Sequence, residues 1–503
     1  MGRRSIDLWY NSEGGTKRRQ GTVLCLFSAL TGDGEPSPVS SNTENDCRKL
    51  MKQTFFTHDR NFYRSLFSML VIVALQNIIA YSVNMADNIM LGAYSQEALS
   101  GAAVVNQLFF IVQQATIAIG DGLIVISSQY WGQYRTEPIR RVTGLVLRYT
   151  TAVGLGLILV CTVLANPILR IFTSDPEILP QATAYLRIIK FTFLLFMVTQ
   201  VLLAALRSVE TVKIAFINSC VSLVLNIVIN STLIYGRFGF PELGVTGAAI
   251  GTITSRTVEL LIVLGYLWKK DEKLKLFREP GLAEISPELK ADYTKNAVPI
   301  LVGGLIWSVS IPMQTAILGH LSSDAIAANS VATTFYQYMK VIIVAISSVS
   351  AVLMGKSIGT GNLSRVRSDA RTLSVIDLGI GIVLGAILFF TRKPLLAYYA
   401  LNPTASALAD QLIVIMSLVM VGMSYQMPVS GGILKGSGDT KFTMNLNLIS
   451  TWLIVTPLSF AAAFWWKWPI AAVVVCLQSD QIFKCLPVFL RFRSYKWIHK
   501  LTR

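Results

Sequence analysis

The chain has 503 residues, of which 53% are hydrophobic and only 14% charged, with 44 Lys/Arg against 28 Asp/Glu and a mean hydropathy of +0.54. A soluble domain carries about 25% charged residues, and the deficit here is gathered into recurring apolar runs of roughly 18 or more residues. That excludes a soluble enzyme, a secreted disulfide scaffold and a disordered chain, and leaves an all-α polytopic membrane protein.

In chain order, residues 1–60 come first, rich in Ser, Gly, Asn and Thr; residues 1–50 hold seven Lys/Arg and six Asp/Glu. The apolar stretch Thr22–Leu30 follows Lys17, Arg18 and Arg19, but is too short to cross a membrane and has no small-x-small cleavage site behind it. The segment reads as a disordered cytoplasmic tail, with Met51 a candidate native start. Six spans follow: Phe62–Gly92, Ala98–Ser128, Val142–Leu164, Ala184–Leu206, Ile214–Tyr235 and Val245–Trp268. A charged linker at 269–293 separates them from six more: Thr294–Gly319, Ala325–Met354, Thr372–Phe390, Ala407–Ile433, Phe442–Phe464 and Ile470–Leu490. The reading is therefore an N-terminal bundle over 61–268, a C-terminal bundle over 294–492 and a basic tail at 493–503. Loops after even-numbered spans hold roughly eighteen Lys/Arg and those after odd-numbered spans about five, which places both termini in the cytoplasm of a multi-pass cell-membrane protein.

Several chemistries find no support. The six cysteines form no CxxC pair, and the three histidines have no metal-ligand spacing. Basic residues form no stripe interleaved with aromatics, so nucleic acid is not the expected partner. No HExxH motif, intramembrane acid cluster or GxxxxGK[ST] phosphate loop is present. A monomer without cofactor, in contact with lipid and a small organic molecule, is expected.

The two halves repeat. Ala86 onward (ADNIMLGAYSQEALSGAAVV) aligns without gaps on Met313 onward (MQTAILGHLSSDAIAANSVA) at a shift of about 227 residues, pairing Leu91-Gly92 with Leu318-Gly319 and Gly132 with Gly359. Later, ALRSVETVK from Ala205 matches ILKGSGDTK from Ile433 at a shift of about 228. Six spans followed by six of the same topology predict two bundles related by a pseudo-two-fold axis along the membrane normal, with a substrate site between them.

The residues at these repeat points resemble the multidrug and toxic compound extrusion (MATE) family. The resemblance rests on MADNIMLGAYSQEALSGAA, SSQYWGQYRTEPIRR, ALRSVETVK, LNIVINSTLIYGRFGFPELGVTGAAIGT and GILKGSGDTK in this order, covering about residues 62 to 490. WGQYRTEPIRR lacks the Asp-Arg pair usual in the major facilitators, the rival twelve-span superfamily. Membership implies antiport, an organic and often cationic compound leaving as H⁺ or Na⁺ enters. A lipid-linked saccharide flippase of related architecture is the alternative; such flippases line their cavity with several Arg, whereas Arg256 and Lys340 are the main basic residues at depth here.

An ionised carboxylate in hydrocarbon costs several kcal/mol, so one is kept where it pairs, lines water or titrates. Asp87, late in span one, is the leading coupling acid and occupies the acidic position of the resembling family's first span; capping a helix end in the outer water layer is its structural reading. Asn226 and Asn230 lie one turn apart in span five, and the resemblance adds Thr252 in span six as a member of the same cation cluster. Two Asn alone also serve as interhelical hydrogen-bond glue. Asp121 in span two is a second intramembrane acid, either a titrating site, an inner-gate element or a water-facing group. Arg256 with Glu259, and Asp480 with Lys484, read as neutralising pairs. Lys340 has no partner near in sequence.

For the substrate, Trp307, Met313, Gln314, Tyr336, Lys340 and Gln426 are the candidates, with Tyr338 and Met427 beside them. Aromatic rings attract positive charge and thioethers adapt to shape, although packing explains any one of them singly. Pro299, Pro312, Pro428 and Gly431-Gly432 are candidate hinges. The acids that sodium-coupled relatives of the resembling family carry in spans seven and ten fall here at Trp307 and near Ser424, and the proline usual in span one is absent. Both departures concentrate coupling in the first half.

Overall fold

The computed structural model describes residues 56–173, 175–282, 286–319, 323–397, 399 and 402–502, without the side chains of 311–312, 314–316, 318–319 and 323–327. The expected tail before residue 56, including Met51, and the side chain of Gln314 lie outside the described residues. The described chain is helical, with no strand, as hydrocarbon requires of an apolar chain whose backbone polar groups must pair within each segment.

Twelve long helices run in order: α1 Arg60–Tyr94, α2 Gln96–Gly132, α3 Glu137–Val163, α4 Ile178–Ser208, α5 Lys213–Ile234, α6 Val245–Lys269, α7 Pro287–Gly319 and α8 Ser323–Gly359, then α9 Leu363–Leu396, α10 Pro403–Leu434, α11 Thr440–Trp465 and α12 Ile470–Arg493. Eleven are long and apolar enough, over their described residues, to cross a membrane; α7 is the twelfth. Their ends follow the sequence. Asp59 caps α1 by accepting from Asn61 N at 2.9 Å, and Ser95, the single residue between α1 and α2, caps α2 through Ala98 N at 3.0 Å. Asn362 and Asn402 cap α9 and α10 in the same way. Large apolar side chains such as Leu159, Phe390, Leu418 and Leu453 stay exposed on the outside of the assembly, where a lipid solvent rather than water explains them. At the α11–α12 turn Trp465, Trp466 and Trp468 are exposed beside Lys467, the composition of a membrane-interface anchor.

The helices form two six-helix bundles with matching internal pairings. In the first, α2 packs on α4, α3 on α4, α1 on α5 and α5 on α6; in the second, α8 packs on α10, α9 on α10 and α7 on α11. The repeat extends to single dihedrals. Tyr134 (φ 58°) and Gly361 (φ 75°) turn the chain after α2 and α8, Glu210 (φ 57°) and Gly438 (φ 90°) after α4 and α10, and Gly239 (φ 82°) and Lys467 (φ 49°) after α5 and α11. Each pair is separated by the repeat shift, both members adopt the left-handed region, and one of each pair is the glycine that tolerates it best. The helix of α10 widens into π-type turns over Pro428–Leu434, at the site where Pro428 and the Gly431-Gly432 pair were expected to disturb it.

Across the pseudo-axis, α2 meets α7 and α1 meets α8, while α2 and α8 meet each other. The last contact is made by backbone. A Cβ on Gly132 would overlap the carbonyl of Lys356, and one on Gly359 would overlap the carbonyl of Gln129. Described cross-bundle contacts run from this end to mid-helix, where Phe110 meets Trp307 with ring centroids 6.4 Å apart and Tyr338 donates to the Met85 sulfur at 3.2 Å. The face that closes in this way carries both described chain ends and is called the tail face below.

Candidate functional site

The first bundle holds a small cavity, lined mainly by polar residues, between α1, α2, α4, α5 and α6. Asp87 enters it from α1 and Asn226 from α5, with Asn230 wholly buried one turn further along α5. Asn230 Nδ2 donates to Asp87 Oδ1 at 2.6 Å and lies 3.3 Å from Asn226 Oδ1. The approach of α5 to α6 is set by Gly251, since a Cβ there would overlap Asn230 Oδ1. Thr252 follows at once on α6 and lines the same cavity, its hydroxyl donating to Ala248 O at 3.0 Å. Asn226 Nδ2 and Asn230 Oδ1 are buried without a hydrogen-bond partner among the described residues. Four of the five expected coupling residues therefore converge, and the cluster keeps polar capacity that its own contacts do not use.

Sequence reasoning missed part of this site. Asn84, Asn106, Tyr185 and Ser222 also line the cavity, and so does Arg256. Arg256 does pair with Glu259, at 2.9 and 3.0 Å to its two oxygens, but it also stands over the Phe196 ring at 5.1 Å and faces Asp87 across the cavity. The signal was available: Arg256 lies one turn after Thr252 on the same helix face. No group of three His, Cys, Asp or Glu close enough to hold a metal occurs among the described residues. Oxygens of Asp87, Asn226, Asn230 and Thr252 are the donors on hand for a hard monovalent cation or a proton.

Asp121 lies apart from this cavity. Its carboxylate accepts from Lys435 Nζ at 2.6 Å, joining α2 to the end of α10 across the pseudo-axis. The repeat-related contact is Arg207 Nη1 donating to Ser348 Oγ at 3.0 Å. The two contacts mirror each other, cation for cation, with Asp121 and Ser348 as the exchanged acceptors. Beside them Lys356 of α8 binds Glu210, after α4, at 2.7 Å.

The expected substrate residues sit in the second bundle. Trp307 on α7 is half-buried at the bundle interface, with Lys340 Nζ 5.3 Å above its ring. Met313 is exposed. Tyr336 is buried and donates to the Met423 sulfur at 2.9 Å. Gln426, also buried, donates to Gln481 Oε1 at 2.6 Å, and Gln481 in turn donates to Asp480 Oδ1 at 2.8 Å. Asp480 accepts from Lys484 at 2.8 Å, as the spacing predicted, and Lys484 also reaches Asn447. The intramembrane acids expected from sequence were too few. Asp377 on α9 is wholly buried, and both its oxygens lack a partner among the described residues. Lys190 on α4 is also buried and donates to Thr162 at 2.9 Å.

Two like bundles of six membrane-crossing helices, facing each other across a pseudo-axis with a polar cavity inside one of them, define a duplicated membrane transporter. The MatE family model matches residues 73–232 and 299–461, one stretch in each bundle, and the chain belongs to that family, the MATE transporters of multidrug efflux. A probable multidrug resistance protein NorM of Thermotoga maritima is 26% identical over 424 residues, covering 84% of this chain and 90% of that one. A probable multidrug resistance protein YoeA of Bacillus subtilis is 24% identical over 421 residues, covering 82% and 89%. Among solved structures, a variant of the Vibrio cholerae MATE transporter VcmN superposes with a TM-score of 0.79 at 15% identity, over 88% of this chain and 98% of that one. A MOP superfamily transporter from Pyrococcus furiosus gives 0.75 at 17% identity, over 86% and 95%. At such identities these structures speak for the fold.

Proposed function

We propose that this protein is a secondary active exporter that exchanges H⁺, or Na⁺, for an organic and cationic drug-like compound by alternating access, with Asp87 as the coupling acid. The observation that carries the reading is the Asp87–Asn230–Asn226 cluster: a carboxylate on one helix held by an amide on another, inside a polar cavity. A proton or cation arriving at Asp87 cancels the charge that Asn230 Nδ2 now stabilises. That changes how α1 and α5 hold each other and removes the anion that a cationic substrate would meet. Differential binding of this kind is what lets one ligand displace another and shift a two-state protein.

Basic loops fall on the tail face, so the positive-inside rule makes that face cytoplasmic and the closed state outward-facing. The cell membrane, with both termini inside, is the corresponding location. The arginine in the cavity is already bonded to Glu259, which weighs against a lipid-linked saccharide with its phosphates as cargo. Uptake of a fluorescent organic cation into everted vesicles, under separately imposed proton and sodium gradients, tests the reading. One gradient is expected to drive uptake and Asp87→Asn to abolish it. Drive by neither gradient would overturn antiport, and undiminished uptake by Asp87→Asn would remove Asp87 from the coupling role.

A further inference from the structure

The segment after α12, expected only to be a basic tail, docks across the molecule. Its first half belongs to the second bundle. Tyr495 turns the chain with φ 52° and its hydroxyl accepts from Arg371 Nε at 2.8 Å. Trp497 is fully buried, stacks on Phe492 at 5.9 Å and 8°, and donates through its indole to Phe492 O at 2.8 Å. His499 N then bonds Ser437 O at 3.2 Å, in the turn between α10 and α11.

From there the chain crosses to the first bundle. Gln129 on α2 is wholly buried and reads the backbone of the segment twice: its Nε2 donates to His499 O at 3.1 Å, and its Oε1 accepts from Leu501 N at 2.8 Å. Gln133, one turn on, donates to Thr502 Oγ1 at 2.6 Å. Leu501 packs against the core of the first bundle and lies over Gly438, where an added Cβ would come within 3.2 Å of its Cδ1. The bonds to Gln129 and Gln133 sit beside Lys435–Asp121 and the Gly132–Gly359 crossing, on the face that has to part if the bundles rock.

We propose that residues 494–502 are a latch: anchored in the second bundle by Trp497, they hold the first through Gln129 and Gln133, and this face opens only when that grip is released. Two features separate the latch from ordinary packing. The bonds to the first bundle are made by side-chain amides to a single extended stretch, so they can break without unwinding a helix. The repeat supplies no twin either, because the chain after α6 docks differently: it buries Leu274 and Leu276 under its own bundle, where Arg140 donates to Leu274 O at 3.1 Å.

The test places spin labels at Tyr134→Cys and Ser364→Cys, both exposed and on opposite bundles of the tail face. The full chain, with its native cysteines replaced, is reconstituted in lipid nanodiscs. Double electron–electron resonance is expected to give mainly a short distance. Gln129→Ala with Gln133→Ala is expected to raise a longer-distance population about tenfold or more, the scale of losing three neutral hydrogen bonds. Leu501→Pro, which removes the N–H that Gln129 accepts and touches no membrane helix, is expected to shift the same population and serves if the double variant fails to fold. An unchanged distance distribution in a folded variant overturns the latch. The role of the latch in transport rests on the alternating access proposed above, but this measurement reads opening directly. Opening without gradient-driven export would therefore count against the antiport and not against the latch.

Discussion

At the scale of single residues, the polar groups inside the bundles fall into bonded and unbonded sets with different expected behaviour. Asp87 is bonded through Asn230, and the fit of Asn230 depends on a missing methyl at Gly251. Gly251→Ala is expected to leave the protein folded while cutting export roughly tenfold or more. Overpacking of a close contact costs about 1–3 kcal/mol, and here the strain falls on the amide that holds the coupling carboxylate. Transport with surface expression measured in parallel checks this, and full activity would show that the amide is dispensable. Asp377 is the opposite case, buried with no partner for either oxygen. A buried polar group without a hydrogen bond costs about 1–3 kcal/mol, so Asp377→Leu is expected to raise the melting temperature in detergent or leave it unchanged, and a large fall would mean that the carboxyl holds an essential contact. Legibility divides along the same line. Asp87 was legible as a costly carboxylate in an apolar span and Asn226 with Asn230 from helical spacing, each in agreement with the family resemblance, which alone pointed to Thr252. Arg256 was legible as a basic residue at depth and as the partner of Glu259, but not as a neighbour of Asp87, because spacing along one helix shows its partner on that helix and not the cavity beyond. Asp377, inside the ninth span as Asp121 is inside the second, was legible by the same rule of costly intramembrane carboxylates, and only its lack of a partner required the structure.

At the scale of elements, the twelve spans and their order were legible from apolar runs alone, since hydrocarbon leaves a chain few other choices. The crossing of α2 and α8 was not. The sequence pairs Gly132 with Gly359 as equivalents in the repeat, but equivalence does not imply contact. The two residues touch only because both helices approach the pseudo-axis, where each glycine admits the other helix's carbonyl. Gly359→Leu is expected to force the two helices apart at the tail face. A disulfide between cysteines placed on α2 and α8 at that end should then form more slowly than in the parent. Unaltered cross-linking would mean that the helices accommodate the side chain by sliding. The π-type turns of α10 follow the same pattern: the proline and glycines announced a disturbance, but its form depends on how α8 packs against that stretch, where Gly432 lies against the Ser347 carbonyl.

At the scale of the whole molecule, the pseudo-two-fold axis relates Lys435–Asp121 to Arg207–Ser348, so the two ties across the tail face are equal in position and unequal in charge. Lys435 and Asp121 are both about one-fifth exposed. Removing one partner leaves the other charge partly buried and unpaired, at about 1–3 kcal/mol for a half-desolvated pair. Asp121→Asn and Lys435→Gln are each expected to lower thermal stability and favour opening of this face, and the exchange Asp121→Lys with Lys435→Asp to recover most of the loss. Thermal melts of the parent, the two single variants and the combined Asp121→Asn/Lys435→Gln variant form a double-mutant cycle, and strictly additive effects would dissolve the pair as a tie. The glycine crossing at the axis has one more consequence. Because Gly132 meets Gly359 and the two occupy the same place in their halves, that patch is its own complement, as the surface of a two-fold homodimer must be. A chain of half this length, carrying one such glycine, would already own the surface needed to close upon a second copy of itself.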